Sequence, residues 1–139
     1  MTPINQALYQ FWSSFQHEGA PIPAYKTGQV PNNEPFPYIT FEAVQGEAFS
    51  STVLTAFVWC QDGDGVSANV QRAAILDAVA SAIPPISGRR LSFEGGFAML
   101  YRNPGDFTSD YTLPEDEQPT TGTAVLGGRV SYEVHFYCY

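Results

Sequence analysis

The residues of this chain with the widest chemistry are two histidines, two cysteines and fourteen carboxylates, so reactivity would have to arise among them. His17, His135, Cys60 and Cys138 supply the donor types of a two-cysteine, two-histidine zinc centre, but their spacing matches neither a finger nor a ribbon. Either histidine suits general-base work beside a carboxylate such as Glu42 or Glu133, yet no G-x-S-x-G nucleophile elbow accompanies them. Asp62 and Asp64 alternate with Gly63 and Gly65, which evokes a calcium loop. An EF-hand starting at Asp62 needs glycine sixth and a carboxylate twelfth, and those positions hold Ser67 and Ala73. The same glycines do not form a phosphate-binding pattern, and the flanking acids repel phosphate. The expected role of this stretch is a turn before a helix. Gly95, Gly96, Gly127 and Gly128 are likewise expected at strand turns. No catalytic residue, cofactor or metal is expected.

Charge says more about partners than about reactions. Six basic residues against fourteen acids give a formal charge of -8, which opposes binding to a phosphate backbone through counterion release. Charged residues make up 14% of the chain, well below the roughly 25% of an average soluble protein, while aromatics also reach 14%. That balance describes a folded chain with few surface charges, and interface cores share it. The one dense charge run is Glu115, Asp116 and Glu117, set among prolines and threonines. Its complement would be Arg89, Arg90, Arg102 and Arg129 on a neighbouring copy, which makes Arg89, Arg90, Arg102, Glu115, Asp116 and Glu117 the candidate interaction residues. Two cysteines without C-x-x-C spacing read as reduced thiols of a cytosolic protein. The start MTPINQALYQFW has no basic region, and nowhere do 18 apolar residues run together, so neither signal peptide nor membrane span is expected.

At 139 residues the chain is expected to form one domain, 1–139. Thr2-Pro3 followed by Ile4, Leu8, Phe11 and Phe15 predicts an amphipathic helix over residues 3 to 16, with Asn5, Gln6, Gln10 and Ser14 outward. Five prolines between Glu18 and Pro37 predict an extended connection. PYITFEAV alternates as a half-buried strand, and STVLTAFVWC, apolar on both faces, as a central one. A second helix follows, with Ser67 as its cap, stripes of Val70, Ala74, Ala78 and Ile75, Val79, Ile83, and Pro84-Pro85 as its stop. Gly88 to Phe93 and Phe97 to Arg102 predict a hairpin, residues 103–122 a long acidic loop, and GGRVSYEVHFYCY a long aromatic final strand. The fold class is thus α+β: an antiparallel or mixed β-sheet of about five strands with two α-helices on one face.

This order of segments resembles the tail-completion, or tail-terminator, proteins of long-tailed bacteriophages. The pieces that carry the resemblance are the short N-terminal helix, the Pro-rich lead into PYITFEAVQGE, the strand TVLTAFVWCQDG, the helix SANVQRAAILDAVASAI, then GRRLSFEG, FAMLYRNP and the closing GGRVSYEVHFY. The resemblance implies a structural virion protein and no enzyme. It also implies a homo-oligomeric ring, usually hexameric, that caps the tail tube at its head-proximal end, stops elongation and presents a surface to the neck. Implied partners are further copies of the chain, the major tail tube protein and a head-neck connector protein. DNA passes through without specific binding, and assembly takes place in the host cytoplasm. Another head-tail joining ring protein, a neck or head-completion component, is the alternative; a monomeric ligand-binding module or a small hydrolase stands further off.

Overall fold

The computed structural model describes residues 2–45, 51–61, 66–114 and 124–138, apart from the side chains of Val66 and Cys138. The elements in chain order are α1 (Pro3–Trp12), β1 (Gln16–His17), β2 (Ala20–Pro21), β3 (Ala24–Lys26), β4 (Tyr38–Phe41), β5 (Thr52–Cys60), α2 (Val66–Ala82), β6 (Arg89–Phe93), β7 (Gly96–Arg102), β8 (Thr108–Thr112) and β9 (Leu126–Cys138). β1 and β2 form a two-residue ribbon turned at Glu18-Gly19, both with positive φ. The other strands make one seven-stranded sheet in the order β3-β4-β5-β9-β7-β6, with β8 also on β9. Only the β3–β4 pairing is parallel, so the sheet is mixed.

β9 is the spine of the sheet. One side of it pairs with β5 from Leu126 to Val134. The other side pairs first with β8 up to Val130, and then with β7 from Tyr132 onward. β7 and β8 are in effect one strand interrupted by an outward excursion. Ser131 anchors that excursion at both ends: its carbonyl accepts from the Asn103 N–H at 3.2 Å, and its N–H donates to the Phe107 carbonyl at 2.8 Å.

Alternation divides the sheet into two faces. Val130, Tyr132 and Val134 of β9, Leu54, Ala56, Val58 and Cys60 of β5, Ile39 and Phe41 of β4, and Ala98 and Leu100 of β7 are buried on one of them. Both helices pack there, α2 over β5 and β9, α1 against β6 and β3. Since β3 and β6 are the two ends of the strand order, contact of one short helix with both means that the sheet curls around α1. Inside the curl, Trp12 is fully buried beside Tyr132, with ring centroids 5.6 Å apart. The Trp12 indole N–H donates to the Tyr132 hydroxyl at 3.3 Å. Burial holds that hydroxyl far above the usual phenol pKa, so it remains a neutral partner at any ordinary pH.

Several expectations require correction. α1 ends at Trp12, four residues early; Ser13 caps it, and the Ser14 hydroxyl donates to the Phe11 carbonyl at 2.6 Å, competing with the helical ladder. His17 therefore sits in a ribbon and not at a helix end. Asn5 faces inward: its amide donates to the Val44 carbonyl at 3.2 Å and accepts from the Val44 N–H at 2.7 Å, fastening α1 to the segment after β4. Within the Pro-rich connection, Ala24–Lys26 forms an edge strand, the one place proline-flanked backbone can join a sheet. In α2 the Ile75, Val79, Ile83 stripe is buried with Ala68 and Leu76, whereas Val70 is 65% exposed; Ser67 lies inside the helix. The loop expected over 103–122 contains β8, and the sheet has seven strands where about five were expected. Glu115, Asp116 and Glu117 lie outside the described residues.

Gly127 and Gly128 are not at a turn but within β9. Each vacates space on one face. A Cβ on Gly127 would stand 3.1 Å from Trp59 and Tyr111, and one on Gly128 would stand 2.9 Å from Leu76 of α2. The hairpin β6–β7 forms as expected, its Glu94-Gly95 turn using positive φ at Gly95.

Replacing Tyr132 with Phe should lower unfolding free energy by about 1–2 kcal/mol, because the Trp12 N–H loses its acceptor inside the core. Chemical denaturation measures this; a midpoint equal to that of the parent chain contradicts the account.

Candidate interaction surface

The outward face of the sheet carries side chains that cores normally claim. Val53, Thr55, Phe57 and Trp59 project there from β5, and their cross-strand partners Tyr38 and Thr40 from β4, Arg129 and Glu133 from β9, and Tyr111 from β8 project with them. Trp59 and Phe57 stack with centroids 5.3 Å apart, and Tyr111 meets both edge-on, at 5.8 and 5.1 Å. The Trp59 indole N–H donates to the Thr40 hydroxyl at 3.0 Å, fixing the ring flat on the sheet. Gly127 lets Tyr111 and Trp59 approach this closely.

Two smaller groups continue the face. Near the edge on β6, Phe97 and Tyr137 stack at 4.8 Å with the Arg90 guanidinium 3.9 Å from the Phe97 centroid. Beside them, His135 lies between Tyr101, edge-on at 5.0 Å, and Glu133, 3.4 Å from its Nε2. Toward the β3 edge, Phe36, Tyr38 and Tyr25 are in ring contact. A hydrogen bond with Glu34 raises the Tyr25 pKa, and burial followed by the Glu34 charge raises that of Tyr38, so both phenols stay neutral. Among the described residues no helix or strand covers this face, and Val53 and Tyr137 are 53% and 44% exposed.

The candidate arginines separate. Arg102 turns to the helix side and donates to the Ile83 carbonyl at 2.7 Å and the Ala80 carbonyl at 2.6 Å, with its guanidinium 4.7 Å from the Phe107 centroid. It closes the C-terminus of α2 and pins the excursion before β8, which is a structural duty. Arg129 pairs with Asp106 of the same excursion at 3.4 Å. Arg89 and Arg90 are exposed, on β6 at the sheet edge. Arg72, not singled out by the sequence, joins α2 to the sheet through the Gly127 carbonyl at 3.2 Å and Asp110 at 3.3 Å. The histidines do not meet: His17 is in the β1–β2 ribbon and His135 on the outward face. Cys60 is fully buried. Among the described residues no group of three or more His, Cys, Asp or Glu is placed to hold a metal ion, and no helix is long and apolar enough to cross a membrane.

A second feature lies on the helix side of the β6 edge. α1 and β6 leave between them a groove lined by Ala7, Gln10, Phe11, Ser14, Arg89 and Ser92, of about 280 Å³. A smaller hollow of about 170 Å³, lined by Pro3, Gln6, Phe93 and Glu94, adjoins it through Gln10 and Ser92. The residues that face these hollows from α1 and its end, Gln6, Gln10 and Ser14, are polar and uncharged. The Arg89 guanidinium lies 5.7 Å from the Phe11 centroid at the groove wall.

No family model, curated protein or solved structure matches the chain.

Arg102→Ala should lower unfolding free energy by roughly 2 kcal/mol, since the half-buried carbonyls of Ala80 and Ile83 at the end of α2 lose a charged donor. Arg89→Ala should change it by no more than about 0.5 kcal/mol, as expected of an exposed edge residue. Parallel denaturation curves decide this; equal effects would contradict the division of roles.

Proposed function

We propose that the chain is a structural subunit of a bacteriophage tail, assembling with copies of itself into a hexameric ring that caps the head-proximal end of the tail tube, ends its elongation and offers a surface to the neck. The observation that carries this reading is the outward face of the sheet. One face is filled by two helices, and the other presents Val53, Phe57, Trp59, Tyr111, Phe97 and Tyr137 with no described element over them. Aromatic side chains left half-exposed on an uncovered sheet face favour association, and aromatic enrichment with few charges is the composition of interface cores.

The segment order that resembles tail-terminator proteins supports the same reading. So does net charge: copies at -8 each give a ring a strongly negative field, through which DNA travels without adhering. The curl around α1 serves assembly too, because it makes the subunit a rigid block whose surfaces keep their relative geometry.

Deleting the gene should give particles with overlong tail tubes and few joined heads, scored by electron microscopy. Restoring it as the Val53→Lys, Tyr137→Lys variant should give folded protein that fails to correct tube length, because two charges enter an apolar contact surface. Normal-length tails lacking heads after deletion would overturn the terminator reading in favour of a neck component.

A further inference from the structure

We propose that Ile86, at the tip of the loop after α2, seats in a hollow beside the β1–β2 ribbon of a second copy, the two copies meeting along the outer face of α2. This rests on the reading of the chain as a self-assembling subunit and gives that assembly a contact on the helix side. Among the described residues the two most exposed large apolar side chains are Ile86, at 99%, and Val70, at 65%; both belong to α2 and the loop that leaves it. The rest of that helix face is nearly as bare of charge. Ala73, Ala74, Asp77 and Ser81 are exposed there, and Asp77 is the one charged residue among them. A helix that faces water carries a charged outer face, and one that is apolar on both sides is a helix to be covered.

Ile86 stands on a stiff mount. Its loop begins at Ile83, fully buried, whose carbonyl accepts from Arg102 at 2.7 Å, and ends at Gly88, where a Cβ would stand 2.6 Å from the Leu100 carbonyl oxygen. Between them Pro84 and Pro85 fix their own φ, the Ser87 N–H donates to the Pro85 carbonyl at 2.8 Å, and the Gly88 N–H donates to the Pro84 carbonyl at 3.1 Å. This closure gives Ile86 a φ of 69°, a left-handed backbone that costs a β-branched residue stability and that glycine adopts freely. A strained, fully exposed isoleucine offers its own chain nothing, whereas a preformed apolar tip loses little freedom on entering a partner.

The receiving hollow has matching chemistry. Ala20, Pro21, Ile22 and Pro37 line it together with Gln71 of α2 and the His17–Glu18 pair, and its volume is about 250 Å³. An apolar cavity of about 150 Å³ holds benzene, so a four-carbon side chain fits. The groove between α1 and β6, by contrast, presents Gln10, Ser14, Ser92 and Arg89 to an incoming side chain. Gln71 lies eleven residues before the end of α2 at Ala82, about 16 Å along the helix axis, so tip and hollow sit toward opposite ends of one element and do not meet within a chain. Two different patches of one subunit make a head-to-tail contact, the type that closes into rings.

The test uses the full-length chain with Cys138→Ser, in which Cys60 is buried. Ser87→Cys beside the tip and Gln71→Cys in the wall of the hollow are made in separate chains, mixed, and treated with a short bismaleimide. A linked dimer should form in the mixture and in neither chain alone. Ile86→Gly, added to the Ser87→Cys chain, suits the positive φ and should leave the far-ultraviolet circular dichroism unchanged. It should cut the linked product at least about tenfold, one buried apolar side chain being lost. No linked dimer in the mixture, linkage of the Ser87→Cys chain to itself, or linkage indifferent to Ile86→Gly would overturn the proposal. The ring reading is tested apart from this by tube length, and a six-subunit native mass kept by Ile86→Gly would overturn the contact while leaving that reading intact.

Discussion

The fold depends on one strand being shared along its whole length. β9 holds β5 on one side and two separate partners, β8 and then β7, on the other, so every layer of the molecule is indexed to its register. A slip of one residue would turn Val130, Tyr132 and Val134 outward and bring Arg129, Glu133 and His135 into the core, a reversal no packing could offset. Gly127 and Gly128 tighten the constraint from both faces at once: the first admits Trp59 and Tyr111, the second Leu76 of α2. The Ser131 bonds to Asn103 and Phe107 then fix where β7 stops and β8 begins.

From that index the two surfaces follow. Helices fill the side lined by even-numbered residues of β9, and the curl that lets α1 touch both β3 and β6 leaves the aromatic side convex and open. Six residues are basic, and three of them brace the fold. Arg72 and Arg102 tie α2 to the sheet and Arg129 holds the excursion, while Arg89 and Arg90 lie on the edge strand β6.

Much of this was legible in the residues. The period-two pattern from Val130 to Phe136 and from Val53 to Cys60 marked the two central strands, Thr2-Pro3 marked the start of α1, and Gly95 the hairpin, because each signal is local backbone chemistry. What escaped depended on tertiary partners. β8, TSDYT, is short and polar, held by its ladder with β9 and by Tyr111 on Trp59; Tyr111 was its single apolar hint. Asn5 looked like a solvent residue because its partner, Val44, is thirty-nine positions away. Arg102 looked like an interface residue because nothing in its neighbourhood of sequence announces the Ile83 and Ala80 carbonyls. The paired glycines of β9 read as a turn, since composition does not distinguish a bend from a close approach of large side chains.

The central proposal is that identical copies of this chain contact one another, with the open face of the sheet as their contact surface. The native mass of the purified protein, taken by light scattering behind size exclusion over a wide concentration range, tests it most directly. The account predicts a discrete species of six subunits that persists on dilution; a single-chain mass at every concentration would contradict it.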